Sequence, residues 1–64
     1  MTFRDLYETN ADLKSHMLVD ITIGQKNEAM CIKDCLKKYG SNEVICFALI
    51  GSYVRFPYVV LKED

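Results

Sequence analysis

The chain has 64 residues, of which half are apolar and 27% are charged, and its net charge is −1. This length allows a single domain, and the composition excludes a disordered chain, which would be less hydrophobic and more highly charged. Nine acidic and eight basic residues are scattered along the chain, which disfavours binding to nucleic-acid phosphates because that requires clustered positive charge.

The N-terminal segment predicts a short helix. Thr2 is suited to the N-cap, and Asp5 lies three residues later, where a capping box places an acidic side chain. The apolar residues that follow recur on one face of such a helix: Phe3, Leu6 and Tyr7. We expect the helix to end at Asn10 and Leu13 to return to the core from the connection.

The next segment predicts a β-strand with one buried face, because its apolar residues alternate with others. The inward-facing residues are expected to be Met17, Val19, Ile21 and Ile23. Residues 24–27 follow as a polar loop, whose glycine and asparagine can take the positive φ angles that a hairpin needs.

Residues 28–39 are compatible with two structures. In a single helix, Asn27 would be the N-cap and one face would be apolar: Ala29, Ile32, Cys35, Leu36 and Tyr39. In a strand followed by a short helix, residues 28–33 would pair with the preceding strand, Asp34 would cap the helix, and Met30 and Ile32 would face inward. The polar loop after a strong strand favours the second structure. It gives the element order α-β-β-α-β-β, whereas the single helix gives α-β-α-β-β.

The C-terminal third predicts a second hairpin. Residues 44–50 are apolar on both faces, which is typical of a central strand, and Gly51-Ser52 predicts a two-residue turn. Residues 53–61 return as the last strand, and Pro57 predicts an edge position or a bulge because it cannot donate a ladder hydrogen bond. The expected fold is a single α+β domain over residues 1–64, with a small antiparallel sheet and helices packed on one face.

The sheet face without helices is the candidate interaction surface. Alternate residues of the last strand face opposite sides of the sheet, and in one of the two possible orientations four residues face the helices: Val54, Phe56, Tyr58 and Val60. Tyr53, Arg55 and Val59 would then face outward. Tyrosine and arginine are favoured anchors of protein interfaces, so the first candidates for contact are Tyr53, Arg55 and Tyr58.

The same strand offers an alternative function. Its aromatic residues alternate beside Arg55, as do the aromatics with which RRM domains stack RNA bases. The pattern lacks the glycine that should follow the basic residue, and Pro57 interrupts it. Weak nucleic-acid binding is therefore the alternative to protein contact, and core packing explains Phe56 and Tyr58 more simply.

Residues for catalysis or metal binding are sparse. His16 is the single histidine, and no serine or cysteine stands at a nucleophile spacing from it. Cys31, Cys35 and Cys46 could join His16 around zinc, but no C-x-x-C pair occurs and buried thiols are the simpler interpretation. We expect no enzyme activity, no catalytic residue, no cofactor and no metal, with a small zinc-stabilised module as a third interpretation.

Cellular location follows from the cysteines and the apolar segments. Three cysteines are an odd number, which suits a reducing compartment, and the N-terminus has no secretory signal pattern. The longest apolar-rich stretch, residues 44–61, contains Arg55 and Pro57 and is too short for a membrane span. The expectation is a cytoplasmic protein without membrane contact.

Three segments carry a resemblance to a known group of proteins: Thr2–Glu8, Leu18–Ile23 and Ile32–Val44. Together they resemble small uncharacterised proteins carried by phages and mobile elements of Gram-positive (Firmicutes) gut bacteria. The resemblance implies a bacterial cytoplasmic setting and transfers no active site. Some proteins of this kind bind host machinery, so the expected function is a non-enzymatic protein-interaction module that acts on a host protein, with homodimer formation as a further option.

Overall fold

The computed structural model describes residues 1–51 and 56–63. Within them the chain forms two helices and four strands in the order α-β-β-α-β-β. Their bounds are α1 Phe3–Thr9, β1 Leu18–Ile23, β2 Lys26–Cys31, α2 Ile32–Tyr39, β3 Val44–Ile50 and β4 Phe56–Leu61. The α+β class is confirmed, and residues 28–39 form a strand followed by a helix rather than one long helix.

The four strands form one mixed sheet in the order β2-β1-β4-β3. β1 pairs antiparallel with β2, and β3 pairs antiparallel with β4, but β1 and β4 are parallel. The prediction of a purely antiparallel sheet was therefore wrong. Parallel neighbours need a long crossover between them, and the segment containing β2, α2 and β3 provides it.

Helix α1 begins as its sequence predicts. The Thr2 hydroxyl oxygen accepts a hydrogen bond from the Asp5 N–H at 3.2 Å, and the Thr2 N–H donates to the Asp5 carboxylate at 3.1 Å. The Thr2 N–H, followed by the Thr2 hydroxyl, lowers the pKa of the Asp5 carboxyl. Asn10 is the C-cap, so both predicted ends of the helix are confirmed.

Helix α2 begins earlier than predicted. Cys31 is its N-cap without a side-chain cap, and Asp34 lies in the first turn, so the expected Asp34 cap was wrong. The first two helical N–H groups instead donate to the connection before β1: Ile32 to the Met17 carbonyl at 2.8 Å and Lys33 to the Ser15 carbonyl at 3.0 Å. A helix start buried against the chain can use such backbone acceptors in place of a capping side chain.

The first hairpin is tighter than predicted. Ile23 pairs with Lys26, so the turn consists of Gly24 and Gln25 alone. Gly24, the first turn residue, has a φ of +60°, and Gln25, like every described residue other than glycine, has a negative φ. A positive φ at the first turn position alone defines a type II′ turn. The predicted four-residue loop is shorter because β2 already begins at Lys26.

Both helices pack on one face of the sheet, as predicted. β1 alternates strictly, with Val19, Ile21 and Ile23 buried on the helical side. One cluster joins buried residues from α1, the connection, β1, α2 and β4: Phe3, Leu6, Leu13, Val19, Ile21, Ile23, Ile32, Cys35, Val59 and Leu61. The predicted inward positions are therefore confirmed for Phe3, Leu6, Leu13, Val19, Ile21 and Ile23. Tyr7 and Met17 are partly buried against this cluster, and Met17 lies one residue before β1.

The places of β3 and β4 are the reverse of those predicted. β4 lies inside the sheet and β3 lies at its edge. The β1–β4 ladder begins one residue after Pro57, at the pair Asp20–Tyr58. The inner strand therefore tolerates Pro57, because the N–H that proline lacks would lie beyond the end of this ladder. The bulge lies elsewhere, between Val44 and Cys46 of β3.

The turn of the second hairpin also differs. Ile50 pairs with Phe56, whereas a two-residue turn at Gly51-Ser52 would have placed Tyr53 opposite Ile50. That predicted turn was wrong, and the described β4 is Phe56–Leu61. Residues 52–55 lie outside the described part of the chain.

Truncation of an inner isoleucine tests the core. Ile21 is 0% exposed and Ile45 is 64% exposed. Ile21→Ala should cost about 2–5 kcal/mol, comparable with the roughly 3–5 kcal/mol expected for the whole domain, whereas Ile45→Ala should stay within about 0.5 kcal/mol. Urea unfolding of the two variants measures this difference. Equal midpoints for both would contradict the assignment of Ile21 to the core.

Candidate interaction surface

The face of the sheet opposite the helices is uncovered by any described residue, and we call it the open face. The strand registers place alternate residues of all four strands on it. Its described side chains are Leu18, Asp20, Thr22, Asn27, Ala29, Cys31, Cys46, Ala48, Ile50, Phe56, Tyr58 and Val60.

β4 presents the opposite alternation to the one considered from sequence. Pro57, Val59 and Leu61 are buried on the helical side, and Phe56 and Tyr58 lie on the open face. The expectation that Val59 faces outward was wrong because Val59, opposite Ile21, fills the centre of the core with no exposed surface. Of the three candidate contact residues, Tyr58 is therefore on the open face, and Tyr53 and Arg55 lie outside the described residues.

A hydrogen-bonded polar cluster crosses three strands of the open face. The Asn27 side-chain amide donates to the Asp20 carboxylate at 2.6 Å and to the Thr22 hydroxyl at 2.9 Å. The Thr22 and Tyr58 hydroxyl oxygens are 3.3 Å apart, and either can donate. The cluster fixes the orientation of Tyr58 in the middle of the face.

Sequence reasoning missed this cluster, although a signal for it was present. Asp20 and Thr22 are the polar positions in the alternation of β1, so their outward direction was readable. Asn27 was assigned to a loop, and the hairpin register that places it opposite Thr22 depends on a turn of two residues instead of four. An error of two residues in the turn therefore hid the contact.

One end of the open face is apolar, and we call it the apolar end. A shallow groove of about 390 Å³ lies there, lined by Leu18, Val19, Asp20, Ala29 and Phe56. Leu18 is 62% exposed and Phe56 is 40% exposed. Large apolar side chains that remain accessible side by side around a groove are typical of a contact surface for another protein.

The charge on the open face is sparse and acidic. Among its described side chains, Asp20 is the one carboxylate, and none is a lysine or arginine. Its carboxylate lies between the apolar groove and Asn27, which donates to one of its two oxygens. A basic group on a binding partner would therefore meet a complementary charge beside the groove.

A second cluster of titratable groups lies on the helical side. The Tyr39 hydroxyl donates to the Glu28 carboxylate at 2.9 Å, and the Lys38 ammonium lies 3.4 Å from the same oxygen. The Tyr39 hydrogen bond, followed by Lys38, lowers the pKa of Glu28, and the pKa values of Tyr39 and Lys38 are both raised by Glu28. This arrangement ties α2 to β2.

The three cysteines and His16 occupy different environments. Cys35 is buried in α2, Cys46 is exposed on the open face, and Cys31 is half-buried at the end of β2. His16 is exposed in the connection before β1. No group of three or more metal-binding side chains comes together within residues 1–51 and 56–63.

No family model, curated protein or solved structure matches this chain. Neither described helix has the length and apolar composition needed to cross a membrane. The interpretation of the surface therefore depends on its geometry and chemistry.

Thiol modification distinguishes the cysteines. Burial raises the pKa of Cys35 to about 12, with a further contribution from Glu28, and its side chain is 0% exposed. In dilute protein at pH 8, iodoacetamide should modify Cys46 first and Cys35 roughly a hundredfold or more slowly, because Cys35 must await unfolding. Peptide mass spectrometry follows each site. Modification of Cys35 as fast as Cys46 in the folded protein would contradict this placement.

The free energy of unfolding at acidic pH should depend on Glu28. Its pKa is lower in the folded chain than the usual 4.5, so its contribution to stability is present above pH 4.5 and is lost as the pH falls through the folded value. Tyr39→Phe removes the largest cause and should raise the pKa of Glu28 toward 4.5. Carbon-13 carboxyl NMR titration measures the change, and Lys38→Gln is the control with the smaller expected rise. An unchanged Glu28 titration in Tyr39→Phe would refute the assigned cause.

Proposed function

We propose that this protein is a non-enzymatic interaction module that binds a partner protein with the apolar end of its open face. The observation that carries the proposal is the groove between Leu18 and Phe56, in which accessible apolar side chains surround a concave surface. The hydrogen bonds from Asn27 to Asp20 and through Thr22 to Tyr58 hold the polar side chains beside the groove in place, so they lose less freedom on binding.

The groove indicates the chemistry of the partner. Its walls accept an aliphatic or aromatic side chain, and burying such a side chain contributes about 1.5–3 kcal/mol. Asp20, at the polar side of the groove, favours a lysine or arginine next to that apolar residue. The occupant is therefore a protein segment with an apolar anchor flanked by a basic residue.

The titratable groups support a binding role over catalysis. Catalytic bases and nucleophiles usually have pKa values moved toward neutral pH. The resolved shifts here run the other way: they raise the pKa of Cys35, Lys38 and Tyr39 and lower that of Glu28 and Asp5. Each shift stabilises the form that the group already has at pH 7.

The cellular setting of the proposal is the bacterial cytoplasm, and the origin is a phage or a mobile element. The resemblance of three segments to small proteins of that kind supports it, together with the free, exposed Cys46, which suits a reducing compartment. The partner is then a host protein. A groove made by a rigid sheet suits a small module that binds one target without changing its own fold.

Capture from bacterial lysate tests the proposal. The tagged wild type should retain a specific protein after nuclease treatment. Leu18→Lys should lose that protein, because a lysine beside the groove repels the basic residue of the partner while the exposed position leaves the fold intact. Mass spectrometry of the eluates identifies and quantifies what each variant retains.

Gln25→Lys is the matched control. It adds the same single charge in the exposed turn between β1 and β2, at the opposite end of β1 from Leu18, and should retain the partner. Equal retention by Leu18→Lys and wild type would overturn the proposed surface. Recovery that disappears with nuclease would replace the proposal with nucleic-acid binding.

A further inference from the structure

The two edges of the sheet have different surfaces. β2 carries Lys26 and Glu28, and charged side chains are a common means by which natural edge strands resist pairing with another chain. β3 has the sequence VICFALI and carries no charge. One edge is therefore protected against pairing, and the other is not.

The start of the β3 edge is already paired within the chain. The Val44 N–H donates to the Met1 carbonyl at 2.7 Å, and the Phe3 N–H donates to the Asn42 carbonyl at 3.0 Å. This bridge between the N-terminal segment and the start of β3 ends at Val44. No described residue pairs with the outer edge of residues 45–50, where Ile45, Leu49 and Ile50 are 64%, 41% and 38% exposed.

The proline in β4 shows which backbone groups of β3 point outward. Pro57 lies opposite Leu49 and has no N–H, so this pair is a non-hydrogen-bonded pair of the antiparallel ladder. The N–H and C=O groups of Leu49, and by alternation those of Phe47, therefore point away from β4. They are ready to pair with another strand.

We infer that a second copy of this chain binds this edge, with the two β3 strands antiparallel across a twofold axis at Ala48. Phe47 then pairs with the partner's Leu49, and Leu49 with the partner's Phe47, which makes four backbone hydrogen bonds. Cys46 lies opposite the partner's Ile50, and the two Ala48 residues meet at the axis. The result is a continuous eight-stranded sheet.

The chemistry of β3 suits a self-complementary contact. In a twofold interface each residue of β3 contacts a residue of the β3 strand of the second copy. A charged residue in β3 would therefore contact either a like charge or an apolar side chain. β3 has no charge, and every cross-strand pair in this register is apolar. The paired stretch, residues 46–50, also stops short of Val44, so the Met1 hydrogen bond is kept.

The dimer is closed and of moderate strength. The β3 edge of each copy is used in the contact. The outer edges of the eight-stranded sheet are then the two charged β2 strands, so the sheet does not extend further. Five residues of pairing span about 17 Å, which is shorter than a standard interface requires, so association depends on concentration. The two open faces lie on the same side, which places two partner grooves on one surface.

Association is measured by analytical ultracentrifugation over a concentration series. Wild type should pass from monomer to dimer, and Leu49→Lys should weaken the dimer by roughly tenfold or more because it places a charge opposite the partner's Phe47. Ala29→Lys adds the same charge at the exposed β2 edge and should leave the dimer unchanged. A wild type that stays monomeric at every concentration, or a dimer that is insensitive to Leu49→Lys, would overturn the inference.

A cross-link tests the register. The two Ala48 residues form a non-hydrogen-bonded pair with Cα atoms about 4.5 Å apart, which a disulfide can bridge. Ala48→Cys in a Cys31→Ser, Cys46→Ser background should therefore give a covalent dimer with oxidised glutathione. The two native Cys46 residues would be about 13 Å apart, so wild type should not cross-link. Cross-linking of wild type and not of Ala48→Cys would refute this register.

Leu18→Lys should dimerise normally, so loss of partner capture and loss of the dimer are separable.

Discussion

The parallel pairing of β1 with β4 is the constraint on which the other features depend. Ile21 and Val59 lie opposite each other in this pair, and both are completely buried. The pairing places the last strand in the sheet interior, which leaves β3 at the edge. It also fixes the alternation of β4, which turns Val59 and Leu61 toward the helices and Tyr58 toward the open face.

Two surfaces follow from this arrangement, and they differ in what they can bind. The open face offers side chains: an apolar groove, and beside it the Asp20 carboxylate, which accepts a hydrogen bond from Asn27. The β3 edge offers backbone groups with apolar side chains on both sides. The first surface suits the recognition of a particular partner segment, and the second suits strand pairing. Both can act at once because they use different parts of the sheet.

Local patterns in the sequence predicted the parts of the fold that depend on local interactions. The Thr2–Asp5 capping box, the alternation of β1 and the helical face of α1 are each complete within a few residues, so the sequence contained the whole cause. Asp34 was misassigned as a cap because the true acceptors, the Ser15 and Met17 carbonyls, come from a distant segment.

The order of the strands was not readable in the same way. β3 is apolar on both faces, which normally indicates an inner strand, and Pro57 normally indicates an edge. Both indications were reversed, because β3 keeps apolar residues exposed at its free edge and because Pro57 lies beyond the end of the β1–β4 ladder. The polar cluster on the open face depended on the same long-range register and was missed. Of the three predicted site residues, Tyr58 lies on the open face, and Tyr53 and Arg55 lie outside the described residues.

Amide hydrogen exchange along β3, followed by NMR at two protein concentrations, tests the central claim that β4 is an inner strand and β3 a free edge. In dilute protein, the amides of Ala48 and Ile50, which face β4, should exchange slowly, and those of Phe47 and Leu49 should exchange rapidly. At high concentration the Phe47 and Leu49 amides should become protected. Slow exchange of Phe47 and Leu49 in dilute protein, or rapid exchange of Ala48, would contradict the account.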